Sequence, residues 1–191
     1  AYVNMARDKD QQNIDIICDL QGVKVIENNF YTSYLVSLSG HDLVSYYNEY
    51  GKRLLESNVR TFLSLRGNVN KGMYNTLRSD DRVFFFAYNN GLSGTASGVT
   101  FEGGQIKSIQ NLQIVNGGQT MSTIFKAKKD GFDISDVHVQ LKLSVIHDKE
   151  NYTAYVSKIS EYANTQNKVN KSDFFSNTYF HKRFKELSQR L

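Results

Sequence analysis

Leu112-Gln113-Ile114-Val115-Asn116-Gly117-Gly118-Gln119-Thr120-Met121-Ser122-Thr123-Ile124-Phe125-Lys126-Ala127-Lys128-Lys129 passes through three kinds of structure in one short run. The apolar residues closing at Val115 read as a buried strand. Asn116-Gly117-Gly118 reads as a tight turn, and Gln119 onward as a helix, because Met121, Ile124, Phe125 and Lys128 recur at helical spacing. A strand that feeds a helix through two glycines aims free backbone N–H groups, and the positive end of a helix dipole, at whatever lies over the turn. Without side chains, the glycines let that ligand come close to the backbone. An anion, above all a phosphate, suits such a place, and Asn116, Gly117, Gly118, Gln119 and Thr120 would meet it. The plainer alternative is that the glycines only turn the chain between two elements.

Outward from this stretch, helices and strands alternate. Gly131 supplies a C-cap for the central helix. Val137, Val139, Leu141, Leu143 and Val145 then alternate with His138, Gln140, Lys142 and Ser144, which predicts a strand with one wet or ligand-facing side. Tyr152, Tyr155, Val156, Ile159, Tyr162 and Ala163 form a helical stripe that runs into Asn164-Thr165-Gln166-Asn167. Asp173 to Leu191 predicts a last helix carrying Lys182, Arg183 and Lys185.

On the N-terminal side, Phe101-Glu102-Gly103-Gly104-Gln105-Ile106 predicts a hairpin whose second strand runs on towards Ile114. Val83 to Tyr88 is a continuous apolar run of strand length and predicts a central strand ending at Asn89-Asn90-Gly91. Ile14, Ile16 and Cys18 alternate as a half-buried strand, and after Gly22 the run Val23 to Ile26 predicts a second. Phe30 to Leu38 predicts another. Ser39 and Asp42 have capping-box spacing, so a helix starts there and Gly51 stops it. Arg66 to Met73 reads as a polar turn into a helix through Thr76 and Leu77. The fold class is therefore α+β, a mixed sheet with flanking helices that includes Val83 to Tyr88, Gln105 to Val115 and Val137 to Ile146.

Composition sets the bounds on function. With 191 residues, 40% hydrophobic and 22% charged, the chain can bury a real core. The single Cys18 cannot close an internal disulfide, no apolar run has the length of a membrane span, and no secretory h-region opens the chain. A cytoplasmic protein that does not enter a membrane is the expectation. The net charge of +4, from 23 basic and 19 acidic residues, leans mildly towards anionic partners.

Asn89-Asn90-Gly91, Asn116 to Thr120, and Asn164 to Asn167 punctuate the ends of elements with amides, glycines and a hydroxyl. Such neutral groups suit hydrogen bonding to a nucleotide or a backbone better than nucleophilic or general-base work. Plain turn chemistry explains Asn89-Asn90-Gly91 as well, and a helix C-cap explains Asn164 to Asn167. Arg60 sits in the apolar block Leu54 to Leu63, where it snorkels, pairs with a carboxylate such as Glu56, or faces a ligand cleft. Asp136 with Gln140-Leu141-Lys142 bears a loose likeness to the pattern of restriction-type nucleases, an Asp followed by Glu or Gln, any residue and Lys, which any strand with alternating polar residues also produces. His41, His138, His147 and His181 are isolated, without metal-ligand spacing.

Five motifs together carry a family resemblance. Asn58-Val59-Arg60-Thr61-Phe62-Leu63, Val69-Asn70-Lys71-Gly72 with Thr76-Leu77, Tyr88-Asn89-Asn90-Gly91, Gln113 to Thr120, and Ala163-Asn164-Thr165-Gln166-Asn167 stand in the order and rough spacing of the AIPR family, the abortive infection phage resistance proteins. The resemblance implies bacterial antiphage defence, with other defence-operon proteins as potential partners. It divides the chain into N-terminal strands over 1–30, an AIPR core over 31–170, and a helix over 171–191 leading into a further C-terminal part.

More distantly, the chain resembles the ParB/sulfiredoxin-like fold, in which a turn-and-helix box and a later helix-end box bind nucleotide phosphates. Asn116 to Thr120 and Ala163 to Asn167 stand in those two places. Here Gln119, Thr120 and Asn167 replace the arginines of that family, and Ala163 replaces its glutamate. Arg60 and Arg66 then become the candidates for the missing positive charge. The resemblances imply a nucleotide or nucleic-acid backbone as ligand, bound by Asn116, Gly117, Gly118, Gln119, Thr120, Asn164, Gln166, Asn167, Asn89, Asn90, Arg60 and Arg66. A nuclease or NTPase, and a protein-interaction module that senses a phage component, are the alternatives.

Overall fold

A computed structural model describes residues 14–55 and 70–165. Its organising strand is β7, His138–Ile146. Val139, Leu141, Leu143 and Val145 are buried while His138, Gln140 and Lys142 are exposed, as the period of two requires, but Ser144, expected on the wet side, is buried against Ser33. β7 pairs antiparallel with β2 (Tyr31–Ser39) in unbroken register from Tyr31↔Ile146 to Ser39↔His138. Along its other edge it pairs parallel with β3 (Leu92–Ala96), from Leu92↔Leu141 to Ala96↔Val145. With β1 (Ile16–Glu27), β4 (Gly98–Glu102), β5 (Gln105–Gln110) and β6 (Gln113–Asn116), the described residues form one mixed sheet of order β4-β5-β1-β2-β7-β3-β6. β1 lies inside it, its first half paired with β5 and its second with β2.

Five helices occur among the described residues: α1 (Gly40–Tyr50), α2 (Lys71–Arg78), the single turn α3 (Phe85–Tyr88), α4 (Gly118–Lys129) and α5 (Tyr152–Thr165). The molecule is thus α+β, a mixed sheet with flanking helices. Consecutive residues of β6 show how the layers divide. Ile114 joins the main core with Leu43 of α1, Leu77 of α2, Met121 and Ile124 of α4, and Leu141 and Leu143 of β7. Its neighbour Val115 points to the opposite face and packs with Ile146 and Val156 beneath α5. Helix α1 starts with the anticipated capping box, in which Ser39 Oγ accepts from the Asp42 N–H at 3.1 Å and Asp42 Oδ2 accepts from the Ser39 N–H at 3.0 Å. Gly51 closes α1, and Gly131, at φ +88°, follows the end of α4.

Three expectations are corrected. Val83 to Tyr88 is not a central strand: Asp80–Phe84 is a 3-10 turn and Phe85–Tyr88 the helical turn α3. Only Phe85 of this run is buried, and the place beside β7 belongs to Leu92–Ala96. Gln105 to Val115 is not one strand either, because Asn111 takes a left-handed conformation (φ +53°) between β5 and β6. Ile16–Glu27 forms a single strand where two were expected, and Ile14 precedes it. Register shifts on either side of Gly22 absorb the irregularity.

Candidate functional site

The strand–turn–helix junction is built as its residues require. β6 ends at Asn116, Gly117 takes the left-handed conformation (φ 91°, ψ 11°), and α4 begins at Gly118. A Cβ on Gly117 would lie 2.5 Å from Leu92 Cδ2 and 2.8 Å from the Gly91 carbonyl oxygen, so both φ and space demand glycine. Gly91 is fitted as tightly, since its Cβ would meet the Gln140 carbonyl oxygen at 2.5 Å. Two of the glycine-bearing punctuations therefore touch each other through backbone.

Amides tie the remaining pieces in. Asn89 Oδ1 accepts from the Gly91 N–H at 2.8 Å, while Asn89 Nδ2 donates to Thr120 Oγ1 at 3.2 Å and approaches Met73 Sδ at 3.0 Å. The first turns of α2 and α4 thus meet at Asn89. On the other side, Asn116 Nδ2 donates to the Ala163 carbonyl at 2.6 Å and to Asn164 Oδ1 at 3.1 Å. Asn164 Nδ2 in turn donates to the carbonyls of Val115 and Ser160, each at 2.7 Å. This reciprocal amide pair fastens the end of α5 to the end of β6.

The structure therefore gathers Asn89, Asn116, Gly117, Thr120 and Asn164 around one turn. Asn90 is exposed beside it, Gly118 is buried in the first turn of α4, and Gln119 is half-buried next to it. Arg60, Arg66, Gln166 and Asn167 lie outside the described residues, as do His181 and the segment from Asp173 to Leu191. Sequence reasoning passed over Met73 as a site residue. It contacts both Asn89 and Thr120, and the motif Val69 to Gly72 beside it was the available signal.

Electrostatically, the junction is simple. No side chain caps α4, and no acidic residue stands in its first turn, whereas Lys126, Lys128 and Lys129 complement the dipole at its far end. Side chains do cap α1 and α2, through Ser39 and Asn70. The nearest latch is peripheral. Lys126, first, and the Tyr74 hydroxyl, second, hold the Asp130 carboxyl below its usual range by hydrogen bonding, and Tyr74 is raised by the same bond.

The other sequence candidates fall elsewhere. Asp136 faces Arg82 at 3.9 Å, and Arg82 also pairs with Asp133 at 3.5 Å and Asp80 at 3.6 Å. Gln140 and Lys142 stand on the exposed face of β7. His147 Nε2 lies 2.9 Å from Thr32 Oγ1. Among the described residues no group of three or more His, Cys, Asp or Glu side chains comes close enough together to hold a metal ion. No described helix is long and apolar enough to cross a membrane.

Fold and site together define an α+β domain with an amide-framed turn at a strand–helix junction. The model of the AIPR protein family matches residues 55–191, and the chain belongs to that family. Membership suggests a part in abortive-infection defence against phage. No curated protein and no solved structure gives a match, so the ParB/sulfiredoxin likeness rests on the sequence motifs alone.

Proposed function

We propose that this domain serves phage defence in the cytoplasm as a binding module, holding a phosphate of a nucleotide or nucleic-acid backbone at the Asn116 to Thr120 turn. One observation carries the reading. α4 is a helix of 12 residues that begins without a side-chain cap, while α1 and α2 both have one. The first N–H groups of any helix lack intrahelical acceptors, and together with the dipole they favour an anion. The amides framing the turn are bonded to one another and to nearby carbonyls, which fixes the shape of the turn without placing an opposing charge beside it, and the small excess of positive charge on the chain is compatible with an anionic ligand.

Gln119→Glu tests this, because stability and binding respond to it with opposite sign. A carboxylate in the first turn of an uncapped helix stabilises the free protein by about 0.3 to 1 kcal/mol, yet it repels an anion bound there. Thermal-shift titrations with tripolyphosphate, mononucleotides and short oligonucleotides follow both effects, since a ligand raises the melting temperature by mass action. The expected result is an equal or higher melting temperature for the free variant and a loss of affinity of about ten-fold or more. Unchanged affinity would exclude the turn as the anion site.

A further inference from the structure

The run Val83-Phe84-Phe85-Phe86-Ala87-Tyr88 puts a single large side chain into the core. Phe85 is 1% exposed, whereas Phe84 is 53%, Phe86 48% and Tyr88 64% exposed. The fold needs only Phe85, and leaving three aromatic rings in water forgoes the burial that ordinarily justifies them. Two of these rings are already arranged. Phe84 and Tyr88, four residues apart, stack with centroids 5.9 Å apart and planes 23° from parallel.

Position and charge suggest an occupant. Tyr88 immediately precedes Asn89, whose amide bonds Thr120 in the first turn of α4. The shelf therefore adjoins the groups that frame the turn. Lys71, two residues before Met73, is exposed and forms no ion pair among the described residues. It stands in the first turn of α2, the turn from which Met73 meets Asn89. The acidic Asp80 and Asp81 stand at the other end of the segment, and Arg82 draws Asp80 towards itself. Flat rings at one place, with an uncapped helix start adjoining through Asn89 and Thr120, match a base and its phosphate. In a duplex the faces of the bases are covered by their neighbours, and only unpaired bases offer a face to stack on. Two rings also offer more stacking surface than the single base of a mononucleotide uses.

We infer that Phe84 and Tyr88 form a stacking shelf for the bases of a single-stranded nucleic acid whose backbone runs on to the turn at Gly118. The inference rests on the anion-binding reading of that turn and adds the ligand class. Its test uses the full chain and fluorescently labelled oligo-dT and oligo-U, with the same-length duplex and an abasic strand as comparators. Tyr88→Ala should weaken single-strand binding about ten-fold, the magnitude typical of one lost base–aromatic stack, and leave tripolyphosphate binding unchanged. Tyr88→Trp should keep the affinity. The chain has no tryptophan of its own, so the introduced indole reports directly, and its emission should be quenched on adding oligo-dT but not the abasic strand.

Abasic and ordinary strands binding alike, or a duplex binding as well as a single strand, would overturn the shelf while leaving the anion site standing. Tripolyphosphate and all strands failing together would remove both. Unchanged strand binding by Tyr88→Ala, with loss of a protein–protein association seen in sedimentation, would assign the rings to a protein partner and overturn the inference.

Discussion

Gly117 and Asn116 are the residues on which the junction turns, and each makes a separate demand. Gly117→Ala places a methyl group against Leu92 and the Gly91 carbonyl, in a backbone conformation that L-residues resist. A loss on the order of 2 kcal/mol is expected, measured by urea denaturation. A loss below about 0.5 kcal/mol would mean that the turn has room to relax. Asn116→Asp keeps the shape but replaces two donated hydrogen bonds, to the Ala163 carbonyl and Asn164 Oδ1, with oxygen facing oxygen. It should cost about 2 kcal/mol and free the end of α5, seen as faster hydrogen exchange at its C-terminal amides. Unaltered exchange there would show that the amide pair does not hold the helix. These pairings were not legible in the sequence. Asn116 and Asn164 are 48 positions apart, and Asn89 and Thr120 are 31 apart. Local spacing marked each residue as polar punctuation, but only the sheet order brings them to one place.

At the scale of elements, what could be read was whatever local chemistry determines. The Ser39–Asp42 capping box, the hydrophobic alternation of β7, the Gly103–Gly104 hairpin and the start of α4 all depend on neighbours within a few positions. Val83 to Tyr88 does not. A short apolar run has no period to distinguish strand from helix, and the outcome was decided by competition for the edge of β7. There Leu92–Ala96 wins although its composition is weak for a strand. Gly94 suits that place because a Cβ would crowd Leu141 Cδ1 at 3.2 Å and the Gln113 carbonyl at 3.3 Å. The latch between α2 and α4 yields a prediction with a definite sign. Lys126 and Tyr74 depress the folded-state pKa of Asp130, so its contribution is present above the ordinary aspartate range and is lost as pH falls through the folded value. Calorimetry should find the melting-temperature gap between wild type and Asp130→Asn constant from about pH 8 to pH 5 and closing below about pH 4. A gap that persists in acid would mean that packing of the side chain, rather than its charge, ties the helices.

For the whole molecule, charge limits how strongly any nucleic acid can be held by electrostatics. The chain carries 23 basic and 19 acidic residues, and several of its cations are already engaged: Lys24 with Glu27, Lys107 with Asp19, Lys126 with Asp130, and Arg82 with three aspartates. Lys71 is an exposed cation in the first turn of α2, and Arg60, Arg66, Lys182, Arg183 and Lys185 lie in segments outside the described residues. Each phosphate neutralised on a single strand contributes about −0.7 to the slope of log affinity against log salt. Contact with two to four phosphates therefore gives a slope of about −1.4 to −2.8, measured by anisotropy of labelled oligo-dT across a series of salt concentrations. Base stacking contributes no counterion release, so Tyr88→Ala should lower the affinity at every salt concentration and leave the slope where it was. Gln119→Glu should make the slope shallower. A wild-type slope steeper than about −5 would require a basic surface much larger than the turn and would move the nucleic-acid site away from the α4 junction.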